Sequence, residues 1–383
     1  MATSIFENCE PWPDIVSGKT WYYTSDLLPE DASIFFQRTY PAKQLRELIK
    51  VVFSNFAAPQ ANSGCLVCIH APPGAGKTHA LKALTLLARM PRFDLVREFA
   101  PVDILPGGPV RLAVIDGEKC DLRNGIHLED GLRAYTPWGH LAYQLAGKSG
   151  FEYLMQWDRE RIAPPRTLLR DLLEARSSLI VLDRIAVLWR RFAGMAPQLS
   201  EFICSLGISV ASSPRVALVY TLATRKIPSQ DPYYSEHSHI AGLLHDARTH
   251  CFAQGIAPEH KPEMTAALRR FLFKRALMDS GAYPVETRAF DLLISIVTSL
   301  GLTHVFGGIL AVLGRTSHNL WKEPPGNLAC IGFDHLDLRP LAERLAYDRW
   351  EMNGRPQGSA QSDIEHAKRV LQRVTNLADR IQV

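Results

Sequence analysis

Residues Cys65-Leu66-Val67-Cys68-Ile69-His70 form an apolar run, and Ala71-Pro72-Pro73-Gly74-Ala75-Gly76-Lys77-Thr78 follows it directly. The second stretch has the spacing of a phosphate-binding loop, with alanine where the first glycine usually stands. Gly74 and Gly76 allow positive φ and close approach, so backbone amides can turn inward around phosphate oxygens. The helix expected from Lys77 to Met90, ended by Pro91, adds partial positive charge at its start. Lys77 would reach the β- and γ-phosphates, and the Thr78 hydroxyl would ligate magnesium. Ala71 to Thr78, with His79 beside them, are the candidate ATP-binding residues.

Such a loop needs a carboxylate at the end of another strand. Leu179-Ile180-Val181-Leu182-Asp183 supplies an apolar strand and an acid, and Asp183 is expected to hold magnesium through water, together with Thr78. A hydrolytic site of this kind usually places a glutamate next, to orient the attacking water. Here the residue is Arg184, which cannot accept a proton. Slow hydrolysis, or none, is expected unless another carboxylate serves. Asp116 and Glu118, in Val114-Ile115-Asp116-Gly117-Glu118, are the candidates, and they also form a rival magnesium motif ranked below Asp183. Thr221 ends Ala217-Leu218-Val219-Tyr220-Thr221. A polar residue there can sense the γ-phosphate or its water, because parallel sheets collect ligands at strand C-termini. The alternative is a hydroxyl that caps a loop.

Strand-like runs at 65–70, 110–115, 179–182 and 216–221 alternate with helical patterns at 42–56, 77–90, 137–146 and 165–176. That alternation predicts an α/β fold, a three-layer α/β/α P-loop core with a parallel sheet, over residues 35–230. Residues 1–34 read as irregular, and 231–250 as polar and histidine-rich. Helical patterns at 262–278 and 285–300, and onward to 319, predict an all-α lid domain over 231–350. A linker over 351–362 leads to an amphipathic helix over 363–383. There Ile364, Ala367, Leu371, Val374, Ala378 and Ile381 follow a three-four spacing, which suits a coiled coil or docking on the chain's own domain.

The chain has 383 residues, 43 basic and 39 acidic, for a net charge of +4; 46% are hydrophobic and 21% charged. This is globular composition, which excludes collagen, rods and wholesale disorder, and the charge argues weakly for a nucleic-acid partner. Seven scattered cysteines make no disulfide scaffold, and Cys65 and Cys68 read as core residues rather than zinc ligands. Met1 to Pro13 lacks the basic-then-apolar order of an export signal, so a cytoplasmic location is expected. Residues 292–314 carry no formal charge, but Thr298, Ser299, Gly301, Thr303, His304, Gly307 and Gly308 interrupt them. Two packed helices with a turn near Gly301 are expected, and no membrane span. His237, His239, His245, His250 and Asp246 lack tight ligand spacing and read as a polar loop. Trp189-Arg190-Arg191, Arg269-Arg270 and Lys274-Arg275 read as solvated helix faces, with nucleic-acid contact as the weaker alternative.

Several motifs together resemble a group of predicted AAA+ ATPases found in bacterial defence islands. Phe35-Phe36-Gln37-Arg38-Thr39-Tyr40-Pro41 is similar to the group's lead-in, which implies packing near the nucleotide base. The run Gly74 to Leu84 resembles its phosphate loop and helix. Trp138-Gly139-His140-Leu141-Ala142-Tyr143-Gln144-Leu145 resembles its inserted helix, Thr221-Leu222 its sensor strand, and Leu268 to Phe273 its lid entry. The similarity covers residues 31–340. The chain departs from the group at Arg184 and at Gly307-Gly308, where a lid arginine would stand, with Arg315 a poor substitute. The group's members are also longer, and their ring assembly implies that an oligomer and a subunit-bridging arginine such as Arg248 are to be considered.

The expectation is an ATP- and magnesium-binding switch or weak ATPase that acts through protein partners, in defence or DNA processing. The alternatives are an active motor on nucleic acid and a small-molecule kinase.

Overall fold

The computed structural model describes residues 11–16, 32–57, 63–71, 75–89, 94–106, 108, 110–129, 131–174, 176–223, 234–244, 249–253, 260–273, 285–300, 305–323, 331–352 and 357–380. Pro72, Pro73, Gly74, His245, Asp246, Arg248, Lys274, Arg275, Ile381 and the turn at Gly301 lie outside them.

Cys65–Ala71 (β1), Arg111–Asp116 (β2), Ser178–Asp183 (β5), Val216–Ala223 (β6) and His250–Ala253 (β7) build one parallel sheet in the order β2-β5-β6-β1-β7. Ile126–His127 (β3) and Arg133–Ala134 (β4) form a separate antiparallel pair. The central strands are buried on both faces, which explains their continuous apolar runs. Their side chains alternate between two cores. Val67, Ile69, Leu179, Val181, Ala217 and Val219 face one core, shared with Lys43–Ala57 (α2) and Lys77–Arg89 (α3). Leu66, Cys68, Ile180, Leu182, Leu218 and Tyr220 face the other. Pro137–Glu160 (α4), Arg166–Glu174 (α5), Ile185–Arg191 (α6) and Ala196–Ala211 (α7) cover that side. The fold is the three-layer α/β/α sandwich expected from the alternation of strands and helices. Cys65 and Cys68 are core residues, as read.

Three differences from the expected layout have local causes. Ala32–Arg38 (α1) is helical inside the stretch read as irregular up to residue 34, and it buries Phe35 and Phe36 in the sheet's core. The helix read over 137–146 does break there, where Ala146 and Gly147 (φ +62°) leave helical geometry, but a second helical segment that the sequence reading lacked continues α4 to Glu160. The polar stretch after 230 is not all loop: Tyr234–Leu243 (α8) is a helix, and β7 pairs with β1. The sheet therefore extends past the expected boundary at residue 230.

Beyond it lie Lys261–Leu272 (α9), Thr287–Ser299 (α10), Val305–Lys322 (α11), Arg339–Met352 (α12) and Ala360–Arg380 (α13). Met264, Leu268, Leu293, Ile296, Val297, Ile309 and Val312 form their shared core, which also takes in Trp12 and Ile15. Gly308 lets α11 approach α10, since a Cβ there would stand 2.9 Å from Val297. Ala367 and Ile364 of α13 pack on Ala342 and Ala346 of α12, so the amphipathic helix docks on its own neighbours. Residues 292–299 fall on α10 and 305–314 on α11, and among the described residues no helix is long and apolar enough to cross a membrane.

Arg270 joins α9 to α1. Its Nε donates to the Gln37 carbonyl (2.8 Å), its Nη2 to the Phe36 carbonyl (3.3 Å) and its Nη1 to Glu98 Oε2 (2.8 Å). The guanidinium of Arg38 lies over Phe271 (4.6 Å) and over Trp12 (5.5 Å). Arg270 is therefore a half-buried clamp and not part of a solvated face, a correction to the reading of Arg270 in the Arg269-Arg270 pair.

Candidate nucleotide site

The C-terminal ends of β1, β5, β6 and β2 and the start of α3 bring the candidate residues together. Gly76 takes a φ of +84°, and its carbonyl accepts from the Ala80 amide (2.8 Å) as α3 begins. Only glycine holds that left-handed conformation without strain. Lys77 Nζ donates to the Ala71 carbonyl at 2.7 Å, which turns the ammonium back across the loop it would serve.

Asp183 is the centre of the arrangement. It ends β5 and is 1% exposed. Thr78 Oγ1 donates to its Oδ2 (3.2 Å), and Thr221 Oγ1 donates to its Oδ1 (2.6 Å). The strand order explains the convergence. Strand β6 stands between β1 and β5, so a residue at its end lies between the loop and the acid. Thr221 also accepts from the Arg184 amide (3.3 Å). Its hydroxyl therefore bonds both the acid and the turn that follows it. A threonine hydroxyl and a buried carboxylate are hard oxygen donors of the kind magnesium takes, so Thr78 and Asp183 fit that ion.

Asp116 is the register partner of Asp183 on the neighbouring strand. Two buried carboxylates side by side repel, and Arg184 answers both. Its Nη2 pairs with Asp116 Oδ2, its Nη1 pairs with Glu118 Oε2, and its Nε lies 3.6 Å from Asp183 Oδ2. The other Asp116 oxygen accepts from the Glu118 amide (3.0 Å). Burial pushes the Asp116 carboxyl above the usual carboxylate range, and the guanidinium pulls it partly back. Of the two acids it is Asp183 that touches Thr78, while both oxygens of Asp116 are engaged elsewhere.

Two details of this corner were not readable from spacing. Arg184 sits at φ +52°, a conformation that costs energy for a residue with a side chain. Gly117 makes it fit: its amide donates to the Asp183 carbonyl (2.8 Å), and a Cβ at 117 would run into the Arg184 carbonyl. The only sequence signal for either was the glycine between Asp116 and Glu118.

His79 follows the loop and packs inward. Its ring lies 4.7 Å from Phe35 and 6.5 Å from Phe271. Thr39 Oγ1 donates to the Phe35 carbonyl (2.8 Å) and meets His79 Nε2 at 3.0 Å. With the hydroxyl proton spent on the carbonyl, Nε2 must carry the hydrogen and donate. Desolvation pushes the imidazole down to about 4, helped by the nearby cations Lys82 and Arg38. His79 is thus a neutral linker between α1 and α3.

Gln144 was quoted only for its motif. Its side-chain amide donates to the Val114 carbonyl (2.9 Å) and accepts from the Val114 amide (2.9 Å), pairing with edge strand β2 as another strand would.

The weaker constellations dissolve into local structure. His237 accepts from the Ala223 amide (3.4 Å), and His239 meets Ser200 (3.1 Å). Both lie on α8 and His250 lies on β7, not in a loop, and no group of three or more histidine, cysteine or acidic side chains placed to share a metal ion occurs among the described residues. Arg190 pairs with Glu236 (2.8 Å) and Arg191 donates to the Glu118 carbonyl (2.8 Å). Arg315 faces Asp337 at 3.7 Å.

No family model matches the chain, and no curated protein matches it. Among solved structures it is similar to a Walker-type ATPase of Pyrococcus abyssi, with 12% identity and a TM-score of 0.44 over 86% of this chain and 79% of that one. It is also similar to the ORC2 protein of Aeropyrum pernix in its ADPNP–ADP complexes, with 12% identity and a TM-score of 0.44 over 84% and 78%. Likeness this distant carries no argument about function, which has to rest on the chain's own residues.

Proposed function

We propose that this chain binds ATP with magnesium at the β1–α3 loop and works as a nucleotide-dependent switch or weak ATPase. The observation that carries the reading is the convergence of the Thr78 and Thr221 hydroxyls on buried Asp183. Ala71, Ala75, Gly76 and Lys77, with Pro72, Pro73 and Gly74, would surround the phosphates, while His79 stays the linker between α1 and α3 behind the loop. Thr78 and Asp183 would hold magnesium, which when bound neutralises phosphate charge. Thr221 would sense the γ-phosphate, and the helices after β7 would serve as the lid.

Weak turnover follows from the corner beside Asp183. Arg184 cannot take a proton from water, and it engages Asp116 and Glu118, the other carboxylates in reach. Binding without fast hydrolysis suits a protein that hands a conformational state to a partner. The sequence resemblance suggests a multiprotein setting in bacterial defence or DNA processing. Of the basic residues read as a weaker nucleic-acid alternative, Arg190, Arg191 and Arg270 each bond a partner within the chain.

Phosphate release under saturating magnesium-ATP tests the switch. Intact ATP recovered from the protein after minutes is expected. Turnover at or above about 1 per second, the ordinary enzymatic range, would contradict it.

A further inference from the structure

Arg184 is a cation at the heart of the site, and the proposed switch leaves it without a positive task. Its backbone is pinned in a strained left-handed conformation by close contact with Gly117. Such strain persists only where surroundings over-determine it, and it gathers at ligand clamps. The pinned backbone aims the guanidinium at the ends of β2 and β5. There one cation faces three carboxylates, Asp116, Glu118 and Asp183.

The three contacts are unequal. Glu118 is exposed, so water can replace the guanidinium there at little cost. Asp116 is buried and is the anchor. Toward Asp183 the Nε makes no hydrogen bond among the described residues, although it is buried. The Asp183 oxygen it faces is the one that accepts from Thr78. One shared carboxylate oxygen, 3.6 Å from Nε and 3.2 Å from the Thr78 hydroxyl, therefore separates the guanidinium from the group beside which a terminal phosphate would arrive. A guanidinium presents five donors in a rigid fork that matches phosphate oxygens two at a time.

We infer that Arg184 discriminates triphosphate from diphosphate by moving its guanidinium from Asp116 and Glu118 onto the γ-phosphate. This rests on the nucleotide-binding reading and deepens it. The residue that stands in the place of a hydrolytic glutamate is a γ-phosphate ligand. The ion pairs with Asp116 and Glu118 are its resting position. The diphosphate offers no γ-oxygens, so it leaves those pairs intact.

Calorimetric titration with magnesium-ADP and with a magnesium-bound non-hydrolysable ATP analogue tests this. The native chain should prefer the triphosphate, and Arg184→Gln should lose that preference by about tenfold to a hundredfold, the scale of a charge-assisted pair of hydrogen bonds. Asp116→Asn, which loosens the resting anchor, should widen the preference. Arg184→Lys keeps the charge without the fork, should retain part of the preference, and serves as the readout if Arg184→Gln does not fold. An unchanged ratio in both Arg184 variants, with nucleotide still bound, would overturn this inference alone. A native chain that binds neither nucleotide would overturn the binding proposal with it.

Discussion

Acid should loosen this protein through two histidines, and one of them adjoins the phosphate loop. Burial holds His79 and His140 each down to about 4, against 6.5 for an ordinary histidine. The native state therefore keeps both neutral, while the unfolded chain takes up protons below 6.5. The extra protons belong to the unfolded state between pH 6.5 and pH 4, so stability is complete above that window and falls as pH drops through it. A depression of this size is worth about 3 kcal/mol per histidine at about 1.4 kcal/mol per unit. The geometry explains the resistance to charging. His79 sits against Phe35 with Lys82 and Arg38 nearby, and His140 Nε2 faces the Gln144 amide nitrogen at 3.1 Å. Urea unfolding at pH 7, 6, 5 and 4.5 measures the loss. His79→Gln and His140→Gln stay neutral throughout, and each should remove about half of this histidine-linked slope. A His79→Gln profile parallel to the native one at every pH would refute the reasoning, because it would mean that His79 charges freely in the folded chain.

Three further outcomes follow from other contacts. Gln144→Ala removes both hydrogen bonds to Val114 and should cost about 1–3 kcal/mol in urea unfolding, with faster aggregation through the opened β2 edge in light scattering. Gly117→Ala drives a methyl group into the Arg184 carbonyl and should cost several times the ~0.5–1 kcal/mol that glycine-to-alanine changes usually gain, read as a drop in the unfolding midpoint. Arg270→Ala removes one donor from Glu98 and one from each of two carbonyls of α1 and should cost about 1–3 kcal/mol, with earlier proteolytic cleavage near α1.

The parts of the fold legible in the sequence are those set by period and by loop chemistry. Leu179 to Leu182 and Val216 to Tyr220 are unbroken apolar runs, and runs of that length bounded by polar residues read as buried parallel strands. Strand β7 has only four residues, begins with histidine and lies at an edge, so hydrophobic period could not reveal it. The second segment of α4 was hidden because Ala146 and Gly147 end the first helical segment and a new one starts directly after them. At the site, residue identity sufficed to nominate Lys77, Thr78, Asp183 and Thr221. The partners of Arg184 could not be read, since Asp116 and Glu118 lie 68 and 66 residues away and meet it only through the register of β2 and β5. Arg270 was misread for the same reason: its acceptors, Gln37 and Phe36, stand 233 and 234 residues earlier.

The central claim is that the β1–α3 loop holds a nucleotide triphosphate, and calorimetric titration of magnesium-ATP into the native chain and into Lys77→Ala tests it most directly. The account predicts a saturable single site in the native chain and, for Lys77→Ala, a loss of affinity of about a hundredfold, which a charge-assisted contact of up to ~3 kcal/mol supports. Equal affinity in both proteins would contradict it.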